Sequence, residues 1–136
     1  MAETQITPRQ LKCKVEQHGV NISSTSTTSS TESDITGSTI QFTAPCDGKI
    51  LVQYQLMLSN GTASNNDLAI NVGGSNVTNH YMESETNYNM VMQYYGDVSA
   101  GTVTVKLRWK TTSSTTLSLA GSTGFRSNGS VLFIPD

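Results

Sequence analysis

The stretch Thr102-Val-Thr-Val-Lys-Leu-Arg-Trp-Lys110 decides the fold class. Val103, Val105, Leu107 and Trp109 take its odd positions; Thr102, Thr104, Lys106, Arg108 and Lys110 take the even ones. Side chains of a strand alternate faces, so the stretch predicts one face in a core and one wet, basic face. A helix would scatter both sets around its surface. Trp and β-branched residues also suit a pleated, half-buried surface.

The same alternation recurs on both sides of this strand. Thr39-Ile-Gln-Phe-Thr43 alternates and is stopped by Ala44-Pro45; Cys46-Asp-Gly48 makes a turn. Lys49-Ile-Leu-Val-Gln-Tyr-Gln-Leu-Met-Leu58 is a long strand. Ile50, Val52, Tyr54, Leu56 and Leu58 share one face, and Leu51, Gln53, Gln55 and Met57 share the other. Asn60-Gly61 signals a turn. Asp67-Leu-Ala-Ile-Asn-Val72 alternates and closes on Gly73-Gly74. A weaker strand covers Asn76 to Tyr81, and Tyr88 to Tyr95 forms another, stopped by Gly96-Asp97. Thr116-Leu-Ser-Leu119 and Ser130-Val-Leu-Phe-Ile134 finish the chain. No segment shows sustained helical periodicity. Many short strands separated by Gly, Asn and Ser turns predict an all-β antiparallel sandwich. A jelly roll is the first choice. An immunoglobulin-like sandwich is second, because a lone Trp and no Cys…Trp…Cys pattern argue against it.

Upstream, residues 1–22 predict an N-terminal attachment arm or first strand: Leu11-Lys-Cys-Lys-Val-Glu-Gln17 alternates, and Gly19 is expected to turn the chain before Val20-Asn-Ile22. Residues 23–33 are almost entirely Ser and Thr, with no apolar anchor to offset ordering entropy. Residues 23–38 are therefore expected to be a mobile loop, or a linker from the arm to a domain at 39–136.

The 136 residues suit one domain with a sizeable core. Charged residues are 13% of the chain and the formal net charge is −2, which argues against nucleic acid as a partner. No apolar run approaches the roughly 20 residues of a membrane helix. With no basic n-region or apolar run at the start, a soluble protein made in a cytoplasm is expected. Four Asn-X-Ser/Thr sequons, at Asn21, Asn60, Asn76 and Asn128, are then accidents of composition. Cys13 and Cys46 are too few for a disulfide framework; free thiols packed as small apolar groups are favoured over a pair.

Residues 39–135 resemble the C1q/TNF-like jelly rolls found on bacteriophage particles. The resemblance lies in Ile40-Gln-Phe-Thr-Ala-Pro45 with Cys46-Asp-Gly48 and the long strand after it, in Ser99 to Lys110, and in Ser130-Val-Leu-Phe-Ile-Pro135. It implies a homotrimer on a virion surface: a capsid decoration protein, a head fibre or a tail-fibre tip. No Gly-X-Y stalk is present, so the cellular C1q-type proteins are poorer guides. A chain beginning at Met1 with only residues 1–38 outside the jelly roll favours decoration or a head fibre. Its partner would be the major capsid protein or another virion protein. A receptor-binding tip recognising a host-surface glycan or protein is the alternative.

Candidate sites follow. Leu11, Lys12, Lys14, Val15, Val20 and Ile22 are candidates for particle attachment. Leu51, Met57, Met90 and Met92 supply more apolar surface than two sheets need and are candidates for a three-fold contact. Tyr88, Tyr94 and Tyr95 are candidates for stacking on a sugar, against the alternative of core or subunit contacts with the hydroxyl at an edge. Ligand loops are expected near Asn60–Asn66, Thr78–Asn87 and Ser122–Asn128. Lys106, Arg108 and Lys110 form a basic row, which reads as a solvated face ahead of a contact for an acidic partner.

Chemistry is thin. His18 and His80 have no metal-ligand spacing. Glu83 and Glu85 beside His80 are the best metal candidates, ranked below a solvated loop. The same carboxylates carry little support for glycoside hydrolysis. There is no Gly-x-Ser-x-Gly elbow and no phosphate loop. No enzyme activity and no cofactor are expected.

Overall fold

The computed structural model describes residues 13–60, 65–83, 87–111, 116–119, 121–122 and 125–136. They form strands β1 (Glu16–Ile22), β2 (Thr25–Thr27), β3 (Ser33–Asp34), β4 (Ile40–Ala44), β5 (Gly48–Asn60) and β6 (Asn65–Val72). The chain continues through β7 (Ser75–Glu83), β8 (Asn87–Val98), β9 (Gly101–Thr111), β10 (Leu117–Leu119), β11 (Gly121–Ser122) and β12 (Phe125–Pro135).

One sheet has the order β1-β12-β5-β8, all antiparallel, with β10 and then β2 continuing beside the far half of β5. The other has the order β4-β9-β6-β7, with β3 beside the far half of β9. Setting aside the short β2, β3, β10 and β11, the eight long strands run first-eighth-third-sixth and second-seventh-fourth-fifth. That order is an eight-stranded jelly roll. The expected fold class holds, and the immunoglobulin-like alternative falls.

The opening stretch behaves as its pattern predicts. In β9, Val103, Val105, Leu107 and Trp109 are buried while Thr104, Lys106, Arg108 and Lys110 are half-exposed. They meet Ile50, Val52, Tyr54, Leu56 and Leu58 of β5 and Phe133 of β12 in one continuous core. Each fully buried large apolar side chain contributes on the order of 1.5–3 kcal/mol. β6 and β7 are joined by Gly73 and Gly74, both at positive φ (59° and 93°), as a two-residue hairpin turn requires.

Ser38 ties the two sheets together. Its Oγ donates to Ile35 O at 2.7 Å and accepts from Leu107 N–H at 3.0 Å. Its carbonyl accepts from the Tyr54 hydroxyl at 2.7 Å. Every partner is buried, so the polar group crosses the core without an unmet bond.

Three expectations are corrected. Gly19 lies inside β1 opposite Ser130 and turns nothing; Glu16 to Ile22 pair with β12 residue for residue. Of the two readings of residues 1–22, arm or first strand, the strand holds from Glu16 onward. The Ser/Thr run is not a free loop. Thr25–Thr27 pair with β10, Thr111 N–H donates to Ser29 O at 2.9 Å, and Ser33–Asp34 pair with β9. The run crosses from one sheet to the other, held by partners its own composition cannot reveal. Finally, Cys13 and Cys46 form a disulfide, with Cα atoms 6.0 Å apart. β1 and β4 edge the same side of the sandwich, and this brings together two cysteines 33 residues apart.

Candidate functional site

The outer faces of the two sheets differ in kind. On the β4-β9-β6-β7 sheet the basic row is neutralised by the chain itself. Lys106 Nζ lies 2.7 Å from Asp34 Oδ2, Arg108 Nε 3.1 Å from Asp34 Oδ1, and Lys110 Nζ 3.2 Å from Asp67 Oδ2. Arg108 also pairs with Glu32, whose two oxygens each accept from Asn76 Nδ2 at 3.0 Å. The Lys106 hydrogen bond, aided by the charges of Lys106 and Arg108, holds the Asp34 carboxyl below its ordinary range despite some desolvation. The row is thus a solvated, internally paired face; its main work is to clamp residues 32–34 onto β9.

The outer face of the β1-β12-β5-β8 sheet is built differently. Antiparallel register sets Leu132, Leu51 and Tyr95 in one row across β12, β5 and β8. The next row is Ser130, Gln53 and Gln93, with Gln93 Nε2 donating to Gln53 Oε1 at 3.4 Å. Then come Asn128, Gln55 and Val91, and on β5 and β8 Met57 and Asn89. Leu51, Val91 and Tyr95 are 37%, 55% and 58% exposed. Among the described residues, charges stand only at the ends of these rows: the Lys49–Asp97 pair at one and Arg126 at the other. Asp97 raises the Lys49 ammonium above its ordinary range.

The candidate contact residues separate on this sheet. Leu51 and Met57 point outward as their parity requires. Met92 is buried at 3% and Met90 packs against the core, so this pair lies between the sheets and not on the surface. β8 offers apolar residues on both faces, and only its pairing with β5 tells which face is which. That register puts Val91 and Tyr95 outside in their place.

The tyrosine platform also dissolves. Tyr94 turns inward against the core, with its ring over Gly96, while Tyr95 turns out. The Tyr88 side chain lies outside the described residues. Of the attachment candidates, Lys14 and Val15 are exposed just ahead of β1, Val20 packs on the core, and Ile22 is buried. Leu11 and Lys12 lie outside the described residues.

The histidines stay apart: His18 is on β1 and His80 on β7, at opposite sides of the sandwich. The His18 ring stacks on Phe42 with centroids 4.4 Å apart, and its Nε2 lies 3.4 Å from Glu16 Oε2. His80 is exposed; the Glu83 side chain and Glu85 are outside the described residues. Of the three expected ligand loops, residues 61–64, 84–86 and 123–124 are likewise outside them. Leu132 sits in the unbroken apolar run Val131 to Ile134, and like Val91 and Arg126 it showed no outward face until the register was known.

No known family model matches the chain, and no curated protein matches it. Among solved structures it is similar to dimeric latent PorU from Porphyromonas gingivalis, at 9% identity and a TM-score of 0.54 over 90% of this chain. It is also similar to structures of the infectious bursal disease virus Gx strain (8% identity, TM-score 0.49) and of the T13 particle of that virus (10%, 0.47). Each of those two likenesses covers 89% of this chain. The chain spans 13% of the PorU chain and 38% and 36% of the two viral chains. The PorU likeness is one of fold.

Proposed function

We propose that the chain is a non-enzymatic structural protein of a bacteriophage virion. In this reading it is a homotrimer on the outer particle surface, acting as a capsid decoration protein or head fibre. Its sequence resemblance to phage jelly rolls supplies the setting. The contrast between the two sheet faces is the observation that carries the assembly. One face meets its own charges with ion pairs, as a solvated surface does. The other leaves Leu132, Leu51 and Tyr95 in one row among uncharged amides. Depletion of charge with a retained Tyr is the composition of an interface core.

Attachment falls to the segment that precedes β1, where exposed Lys14 and Val15 lead away from the disulfide anchor at Cys13. The partner is the major capsid protein or another virion protein. The test is cosedimentation with particles that lack this protein, heads and tails separated. Saturable binding to heads, lost when residues 1–12 are deleted and Lys14→Glu and Val15→Ser are introduced while the jelly roll stays folded, is the expected result. Binding to tails or host cells but not heads would overturn the reading in favour of a receptor-binding tip.

A further inference from the structure

The sheet with the uncharged face contains a fork. β5 pairs with β12 as far as Gln55, opposite Asn128, and with β10 from Leu58 onward, opposite Leu119. Among the described residues Leu56 and Met57 have no ladder partner in either strand, and Met57 N–H donates to Ser127 Oγ at 3.1 Å. At the fork β12 turns away to pair with β11, Arg126 opposite Gly121. Beside it lies an open depression of about 350 Å³, lined by Gln55, Met57, Asn89, Val91 and Arg126. The volume is at the low end of the roughly 300–1,000 Å³ of small-molecule sites.

Its chemistry is mixed in a particular way. Lys49, Lys106, Arg108 and Lys110 each lie against a carboxylate of the chain. Among the described residues Arg126 has no such partner, and it is exposed where it lines the depression. Across β5 and β8, Gln55 is opposite Val91 and Met57 opposite Asn89, so amide and apolar groups alternate.

We propose that this depression binds a carboxylate-bearing sugar residue, such as a uronic or sialic acid. The Arg126 fork matches a carboxylate with two parallel hydrogen bonds. The amides of Gln55 and Asn89 both donate and accept, as ring hydroxyls do. Met57 and Val91 offer apolar surface to the C–H face of the ring. A bare protein carboxylate would need only the guanidinium and would leave both amides and the apolar surface unused. The site is separate from the Leu132–Leu51–Tyr95 row, four residues along β5 or about 13 Å away.

The test is a backbone-amide NMR titration of the full chain with glucuronate, galacturonate and N-acetylneuraminate. Glucose and acetate are the controls for sugar without carboxylate and carboxylate without sugar. The expected result is saturable shifts at Gln55, Asn89 and Arg126 with at least one acidic sugar. Glucose and acetate should bind more weakly, and Arg126→Gln should weaken the acidic sugar roughly tenfold or more. Arg126→Lys, which keeps the charge but not the fork, should fall between. The same spectra report whether each variant is folded. No saturation by any acidic sugar, or unchanged binding in Arg126→Gln, overturns the proposal. Acetate binding as tightly as the sugars overturns it in favour of a protein carboxylate. A monomeric protein that binds an acidic sugar would sink the trimer and leave this site standing.

Discussion

Tyr54 and Gly129 face each other across β5 and β12, and the tyrosine ring fills the space where Gly129 would carry a side chain. A Cβ there would lie 2.3 Å from Tyr54 Cε1. The ring is fully buried and its hydroxyl is fixed to Ser38 O, so it has no free direction in which to withdraw. Burial also pushes the Tyr54 hydroxyl well above its ordinary ionisation range, keeping it a donor.

Gly129→Ala is therefore expected to destabilise the fold by about 2–3 kcal/mol through overpacking. Tyr54→Leu should also destabilise, by removing the ring and its hydrogen bond. The two together should cost less than their sum, since the shorter side chain makes room for the new methyl. Denaturant melts of both single variants and the double variant decide it; strict additivity would mean that the ring and the glycine do not share one space.

The disulfide makes a second prediction. Closing a loop of 33 residues restricts the unfolded chain by about 3–4 kcal/mol in the chain-entropy picture. Cys13→Ser, or reduction of the wild type, should lower the thermal midpoint by about 10 °C while the far-ultraviolet circular dichroism stays that of a β protein. An unchanged midpoint under reduction would mean the bond constrains nothing that matters to unfolding.

Asp34 links pH to the clamp on residues 32–34. Its carboxyl is held below the ordinary 3.8 first by the Lys106 hydrogen bond. A carboxyl with a lowered folded value stabilises the fold fully above its ordinary value, and that contribution fades as pH falls through the folded value. The side chain is about half exposed, so the effect is at most about 1 kcal/mol. Asp34→Asn should melt below wild type at about pH 6 and match it at about pH 2. A gap that persists in acid would point to a cause other than the charge.

Alternation carried most of the fold into the sequence. Val103 to Trp109 and Ile50 to Leu58 announced their faces because each strand has one apolar side. β8 did not, because Met90 and Met92 compete with Val91 and Tyr95, and the choice is made by the register with β5. The Ser/Thr run was illegible for a different reason. Its order comes from Thr111, Arg108 and Asn76, all distant in sequence, and a stretch with no apolar residue shows no pattern of its own. The same holds for Cys13 with Cys46 and for Ser38, whose importance appears only where two sheets meet. Of the candidate site, Leu51 and Met57 were visible as the second face of a long strand. The fork beside Arg126 was not, since no local pattern marks where β12 leaves β5.

The assembly reading makes a further prediction about exposed residues. Leu51→Glu and Tyr95→Ser alter side chains that the single chain leaves open, so each variant should keep the wild-type fold. Like charges brought together at a subunit contact oppose association, so Leu51→Glu should have the larger effect.

Multi-angle light scattering at about 10 µM, within the range where specific homo-oligomers persist, decides whether the chain is a trimer. The expected masses are three times the 14.6 kDa chain mass for the wild type and a single chain mass for folded Leu51→Glu. A wild type that elutes at 14.6 kDa, or a Leu51→Glu variant that remains trimeric, would contradict the assembly reading.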